Sequence, residues 1–355
     1  MKKILLAASM LALVSCGSTQ DATTPKKAKK SSADTNVDLA VKYASTITAK
    51  DLGNHLFTYA SDEFEGRDTG EPGQKKAVEY LKNFYVAEGI PSPLGGDDYY
   101  QEVPASYLNK FSRGKDLKDS ENVLAFIKGT EKPDEIVVIS AHLDHVGVNA
   151  NGEVYNGADD DGSGTVAILE IAEAFKKAAD AGHGPKRSIL FLHVTGEEKG
   201  LLGSRFYTEN PTFPIANTVT DLNIDMIGRV DERHKGNPNY VYLIGSDKLS
   251  TELHNISEAM NKKYTNIELD YKYNDDNDPN RFYYRSDHYN FAQYDVPIIF
   301  YFNGTHEDYH AVGDTPDKIN YEMLEKRARL VFHTAWEVAN MDKRIVADKA
   351  KKKDE

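Results

Sequence analysis

A single cysteine, Cys16, occurs in the 355 residues. No intramolecular disulfide can form. A metal site built on several thiolates is equally excluded, so any bound metal must be held by His and carboxylate. Clustered positive charge is also scarce. The chain has 43 Lys+Arg against 56 Asp+Glu, a formal net charge of −13, and most cations are interspersed with acids. Displacing counterions from phosphates needs grouped Lys and Arg, which argues against nucleic acid as partner. Gly162-Ser163-Gly164 lacks the remaining glycine and lysine spacing of a phosphate loop or dinucleotide fingerprint, and no serine meets the pattern G-x-S-x-G. There is no internal repeat, no Pro-rich linker and, beyond the apolar run near the start, no second apolar run of membrane length.

That run, Ile4 to Val14, follows Met1-Lys2-Lys3 and precedes Ser15-Cys16-Gly17. A basic start followed by an apolar stretch of ~7–15 residues predicts a secretory signal, too short to span a bilayer as a stable helix. Leu13-Val14-Ser15-Cys16 resembles the lipobox of bacterial lipoproteins, in which cleavage precedes the cysteine and its thiol and new amino group are acylated. The resemblance implies that residues 1–15 are a signal peptide and Cys16 the lipidation site. It places the protein in the cell envelope, lipid-anchored and facing the periplasm or cell exterior, because several acyl chains anchor stably where one is marginal. From Gly17 to Asn36 nothing large and apolar is present to bury, so residues 16–36 read as a flexible tether. Residues 343–355 read as a charged tail, with Lys349 to Glu355 as a frayed end of the last helix. Residues 37–342 are left as one compact domain.

Within that domain helices and strands alternate. Helical spacing of apolar residues marks 49–60, 74–88, 163–181, 201–207, 247–264 and 321–341. Aliphatic and β-branched runs mark strands at 122–128, 135–141, 188–194, 219–225, 240–244 and 296–302. Ile136-Val137-Val138-Ile139 is continuously apolar, as strands covered on both faces are. The order predicts an α/β single domain with a mostly parallel central sheet flanked by helices. Ligands of such sheets gather at the carboxyl ends of strands.

Those ends carry metal-competent residues. The strand at 135–141 runs into His142-Leu143-Asp144-His145, the strand at 188–194 into Thr195-Gly196-Glu197-Glu198, and the strand at 219–225 delivers Asp225. The loop between holds Asn156-Gly157-Ala158-Asp159-Asp160-Asp161-Gly162-Ser163-Gly164, and after the last buried strand come His306 to His310. Imidazole nitrogen and carboxylate oxygen suit a borderline dication such as Zn²⁺, and two ions ~3.5–4 Å apart need a shared carboxylate. One such residue is ordinarily a solvated loop group; their coincidence at strand ends indicates a metal site.

At these residues the chain resembles the co-catalytic zinc exopeptidases, a family that contains secreted bacterial aminopeptidases, glutamate carboxypeptidases and, as a divergent branch, glutaminyl cyclases. The resemblance runs from Phe64-Glu65-Gly66-Arg67 to the final helix. Its motifs are His142-Leu143-Asp144, Gly157 to Gly164, Gly196 to Ser204, Asn223 to Met226, Ser286-Asp287-His288, Tyr309-His310 and Asp314-Thr315. It implies a three-layer sandwich and two Zn²⁺, with His142 and Asp225 on one ion, Glu198 and His310 on the other, Asp160 as bridge and Glu197 as general base. It further implies a phenol donor to the oxyanion at Tyr309. Asp144 is suited to take the second N–H of the His142 ring. Arg285 offers a planar donor for a substrate carbonyl or carboxylate.

His145 reads as an incidental rim residue, because spacing along a loop fixes no facing, and His306 as part of a solvated loop. Asp287 and His288 read as scaffold. The acidic run Asn274 to Asp278 reads as an exposed turn, a calcium site being the alternative. Residues 110–120 and 270–285 are the expected lids. Three functions follow: a zinc exopeptidase acting on peptides, most simply an aminopeptidase with a carboxypeptidase as the variant; a one-zinc glutaminyl cyclase, a branch that loses the first histidine; and a binding module without metal.

Overall fold

The computed structural model describes residues 38–112 and 116–350. The signal, Cys16 and the tether expected from the sequence lie outside the described residues. Along the chain run α1 (Leu39–Ala44), α2 (Ala49–Tyr59), α3 (Pro72–Ala87), β1 (Tyr100–Val103), α4 (Ala105–Phe111), β2 (Ser120–Ile127), β3 (Lys132–His142), α5 (Gly164–Asp180) and β4 (Arg187–Val194). They are followed by α6 (Leu202–Glu209), β5 (Thr218–Ile224), β6 (Tyr240–Ile244), α7 (Thr251–Met260), β7 (Glu268–Asp270), α8 (His288–Ala292), β8 (Ile298–Phe302) and α9 (Tyr321–Asn340). Side-chain caps set several starts. Thr48 accepts the Asp51 amide at the head of α2, and Asn320 accepts that of Met323 at the head of α9.

The strands form one sheet in the order β1-β2-β4-β3-β5-β8-β6-β7. Its centre, β4-β3-β5-β8, is parallel throughout, whereas β1 with β2, β2 with β4 and β6 with β8 are antiparallel. Parallel strands need crossovers, and α5 between β3 and β4 supplies one. Period-two alternation divides the core. Val137, Ile139 and Ala141 of β3 face a large cluster shared with Leu52, Leu81, Phe175 and Val331 of α2, α3, α5 and α9. Ile136 and Val138 face the other side, where Tyr207 of α6 and Phe291 of α8 cover the sheet. Two helical layers thus enclose the strands, and the carboxyl ends of β3, β4, β5 and β8 emerge along one edge.

Short elements escape the sequence periodicity. Strands β1 and β7 and helices α1 and α4 are too brief to show it. The helix expected over 247–264 starts at Thr251, where Ser250 accepts the Leu253 amide, and its last turn widens over Asn261–Thr265. The charged tail is docked over its first part, and residues 351–355, the bulk of the end expected to fray, lie outside the described residues. Ile345 is buried, Arg344 donates to the Thr218 carbonyl at 2.6 Å, and Asp348 accepts the Thr251 amide at 2.8 Å.

Candidate active site

His142 is the last residue of β3, and its Nε2 lies 3.2 Å from Asp160 Oδ1 and 3.7 Å from Asp225 Oδ1. Asp225 follows β5 directly, and Asp160 comes from the loop between β3 and α5. The other Asp160 oxygen, Oδ2, lies 3.0 Å from His310 Nε2 and 3.8 Å from His145 Nδ1. Glu198, just past β4, places Oε2 3.2 Å from His310 Nε2 and Oε1 3.0 Å from His145 Nδ1. One carboxylate therefore joins two groups of nitrogen and oxygen donors.

These contacts resemble the edges of coordination polyhedra. Ligands at 2.0–2.1 Å from a tetrahedral Zn²⁺ are separated by about 3.3–3.4 Å. Asp160 Oδ2, Glu198 Oε1 and both ring nitrogens of His145 are buried with no aligned hydrogen-bond partner. Buried polar atoms are rarely left so, and one cation would satisfy Asp160 Oδ2, Glu198 Oε1 and one of the two His145 nitrogens. The donor set fits zinc, and the two groups His142/Asp160/Asp225 and His145/Asp160/Glu198 each gather within reach of one ion.

Neighbouring residues hold the loops in place. Asp161, beside the bridge, accepts the amides of His142 (3.2 Å), Gly164 (3.0 Å) and Met226 (3.0 Å), tying together the ends of β3 and β5 and the start of α5. Asp159 accepts the Gly228 amide at 2.6 Å and the Asn303 side chain at 3.0 Å. Asp314 in turn accepts the amides of Asp159 and Asp160. Arg67 is buried and donates to the carbonyls of Leu143 (3.1 Å), Asn156 (2.7 Å), Gly157 (2.8 Å) and Tyr59 (3.3 Å). Gly66 precedes it at φ +62°, where a Cβ would meet the Gly147 carbonyl oxygen at 2.3 Å. The motif Phe64-Glu65-Gly66-Arg67 is thus a clamp beneath the metal loops.

Several sequence expectations change here. The His142 ring N–H is taken by the Asp144 backbone carbonyl at 3.0 Å, not by its carboxylate, which is 3.8 Å away. The Asp144 carboxylate instead accepts the Glu197 amide at 3.1 Å and the Thr69 hydroxyl at 2.8 Å. It therefore aims the loop that carries Glu197. His145 is not a rim residue: its side chain is fully buried inside the second donor group. His306 is not solvated either, its Nε2 lying 3.2 Å from Asp159 Oδ2. Asp287 and His288 are buried, His288 donating to the Tyr283 carbonyl at 2.8 Å, as scaffold residues do. The run 274–278 is an exposed turn whose oxygens are used internally, Asp275 accepting the Asn277 amide and Asp278 those of Asn280 and Phe282.

Glu197 lines the cavities above the donor groups. Enclosure pushes its carboxyl well above the usual range; the nearby His142 opposes this, and the charges of Glu198 and Asp225 add to it. The Tyr309 ring stacks on His310 at 4.0 Å, and enclosure beside Asp160 and Glu198 keeps its phenol protonated far into the alkaline range. Arg285 places Nη2 3.4 Å from the Tyr309 hydroxyl and its guanidinium over the Phe282 ring. Lys199 is committed to Asp68 and Arg205 to Glu209, at 2.6 and 2.9 Å. Among the described residues no carboxylate lies within ion-pair distance of Arg285.

Two cavities share Glu197, Arg285, Tyr309 and His310. The inner one, about 30 Å³, ends against Met226, Phe282, Phe300 and Phe302. The outer one, about 710 Å³, runs past Phe111, Gly200 and Tyr284. Both expected lid regions contribute to these walls.

Residues 122–335, more than half of the chain and inclusive of every donor named above, match the model of peptidase family M28. The chain belongs to that family. Among M28-like relatives, leupeptin-inactivating enzyme 1 of Streptomyces exfoliatus is 25% identical over 322 residues, 85% of this chain and 61% of that protein. The aminopeptidase NAALADL1 of Rattus norvegicus is 34% identical over 136 residues, 38% of this chain and 17% of its own length. The chain thus spans less than two thirds of these relatives. Solved structures share the M28 fold seen here. LapA of Legionella pneumophila superposes with a TM-score of 0.65 at 21% identity, covering 85% of this chain and 76% of that one. The zinc aminopeptidase BSAP of Bacillus subtilis gives 0.63 at 17% identity, covering 86% and 99%.

The five residues expected as ligands lie together in this M28 chain, and His145, read from the sequence as a rim residue, lies among them. A histidine three residues beyond a ligand was the available signal, and no backbone period exists in a loop to interpret it.

Proposed function

We propose that the chain is a two-zinc aminopeptidase that hydrolyses N-terminal residues from peptides. The observation that carries this reading is Asp160, whose two carboxylate oxygens belong to two different donor groups beneath a cavity lined by Glu197. His142 and Asp225 would hold one ion and Glu198 and His310 the other. When bound, the two ions supply Lewis acidity that lowers the pKa of water and polarises a carbonyl, together with positive charge that favours Glu197 as a carboxylate.

The chain's own groups then have defined tasks. Glu197 accepts a proton from the attacking water as its oxygen bonds to the scissile carbonyl carbon. The same proton passes to the leaving amine nitrogen as the C–N bond breaks, so water is the only species consumed. Asp144 fixes Glu197 through its backbone amide. Tyr309 donates its hydroxyl hydrogen to the carbonyl oxygen as negative charge develops there. Arg285 presents N–H groups to a carbonyl of the bound peptide.

The exopeptidase direction is supported by the small inner cavity, which ends against the apolar Met226, Phe282, Phe300 and Phe302 beside the donor groups, whereas the outer one continues. A cyclase that dispenses with the first histidine does not suit a site in which His142 takes part. Amino-acid p-nitroanilides assayed beside N-blocked peptides, with and without chelator, test the proposal. Chelator-sensitive cleavage of unblocked amines is expected, and hydrolysis confined to blocked peptides would refute it.

The same reading places the enzyme on a membrane through lipid at Cys16, on the strength of Leu13-Val14-Ser15-Cys16. Among the described residues no helix is long and apolar enough to cross a membrane. Detergent-phase partitioning of the full chain beside Cys16→Ala checks the anchor, which is lost from the reading if both partition alike.

A further inference from the structure

We infer that His145 is a ligand of the second zinc, giving that site four protein donors: His145, His310, Glu198 and Asp160. The first site keeps three, His142, Asp225 and the other Asp160 oxygen. The inference rests on the two-zinc reading above and adds a residue to it.

The imidazole of His145 is fully buried, and neither ring nitrogen has a hydrogen-bond partner. Burying an unpaired polar ring is costly, so something must satisfy it. Its Nδ1 is only 3.0 Å from Glu198 Oε1, yet the N–H direction is not aligned for a hydrogen bond, and Asp160 Oδ2 lies 3.8 Å away on the other side. Both carboxylate oxygens are likewise buried without a hydrogen-bond partner. His145, Asp160 and Glu198 each bring a donor atom within 4.8 Å of the others, an arrangement that ligands about a cation adopt.

The fold also builds a seat for this ring. The His145 amide donates to the Arg67 carbonyl at 3.2 Å, within the clamp that orders the metal loops. Gly157, at φ +56°, lies so close beneath the ring that a Cβ there would stand 2.6 Å from His145 Cγ and Cδ2. On its far side the ring meets His310 edge-on, with centroids 5.8 Å apart. A histidine with no task would not need a glycine to admit it.

The two sites then differ in kind. Four protein donors complete a tetrahedral shell of the sort that retains zinc structurally, whereas three leave a position open for water or substrate. The second ion is accordingly the tightly held one and the first the exchangeable one.

Zinc content of the full chain, measured by mass spectrometry during titration with a competing chelator, tests the assignment without recourse to activity. Wild type is expected to begin with two zinc and to pause at one. His145→Ala is expected to lose that pause, its second site weakened by at least about 10–100-fold. His145→Gln, which keeps the ring's volume approximately, is measured alongside, with circular dichroism to establish that each variant is folded. A folded His145→Ala or His145→Gln chain that retains both ions with wild-type affinity overturns the role of His145 alone. A wild-type chain that takes up fewer than two zinc overturns the two-zinc reading, and this inference with it.

Discussion

Glu197 and Glu198 are neighbours in sequence and face different tasks, because successive side chains at the end of a strand diverge. Glu198 faces His145, His310 and Asp160, while Glu197 and not Glu198 lines the inner cavity. Glu197→Gln retains shape and removes the proton acceptor. Peptide hydrolysis is expected to fall by about 10²–10⁴-fold with zinc content unchanged, as paired rate and metal measurements would show; undiminished turnover would exclude the role. At this scale the chemistry was legible in the sequence, since only His and carboxylates were available and they cluster at strand ends. The choice of Asp160 over Asp159 and Asp161 as the proposed bridge was carried by the family resemblance, and the fold sets Asp160 apart. Asp159 and Asp161 spend their oxygens on the amides of Gly228, Gly164 and Met226, whereas Asp160 alone points both of its oxygens at histidines.

Among the elements, the parallel strands β4, β3, β5 and β8 do most to assemble the site, and their apolar runs identified them beforehand. The antiparallel margins and the brief strands β1 and β7 were not legible, because three or four residues show no usable period. The loops are held by a device that sequence pattern presents only as a motif: Arg67, whose guanidinium bonds four carbonyls drawn from three segments. Arg67→Ala takes this donor from the Tyr59 and Asn156 carbonyls, at about 1–3 kcal/mol each, while Leu143 keeps the Tyr59 hydroxyl and Gly157 the Gly162 amide. A stability loss of about 3 kcal/mol or more is expected in denaturant unfolding, with partial recovery in Arg67→Lys, whose ammonium lacks the planar fork. A variant that unfolds at the wild-type midpoint would show that the clamp is not structural.

In the molecule as a whole, the site is asymmetric. The inner cavity closes on Met226, Phe282, Phe300 and Phe302, but the outer one continues, through Gly200, Leu201, Arg205 and Tyr284, into a further groove of about 550 Å³ flanked by Tyr289, Gln293 and Tyr294. An N-terminal residue held over the donor groups, facing the short end, would leave the rest of its peptide along the long one. Efficiency should therefore rise across a series from dipeptide to hexapeptide sharing one apolar N-terminal residue, and level off once the groove is filled. Equal kcat/KM throughout the series would mean that the groove takes no part in binding.

The sequence by itself determined which atoms are available for chemistry, that the chain folds as alternating strands and helices, and that the donors lie where parallel strands end. Those properties are local: residue type, apolar period and position relative to a strand. Tertiary structure alone decided that His145 joins the second donor group, that Asp144 steers Glu197 rather than the His142 ring, and that His306 is enclosed beside Asp159. Each depends on where a loop side chain points after distant segments have packed around it, and an aperiodic loop carries no direction until that packing supplies one.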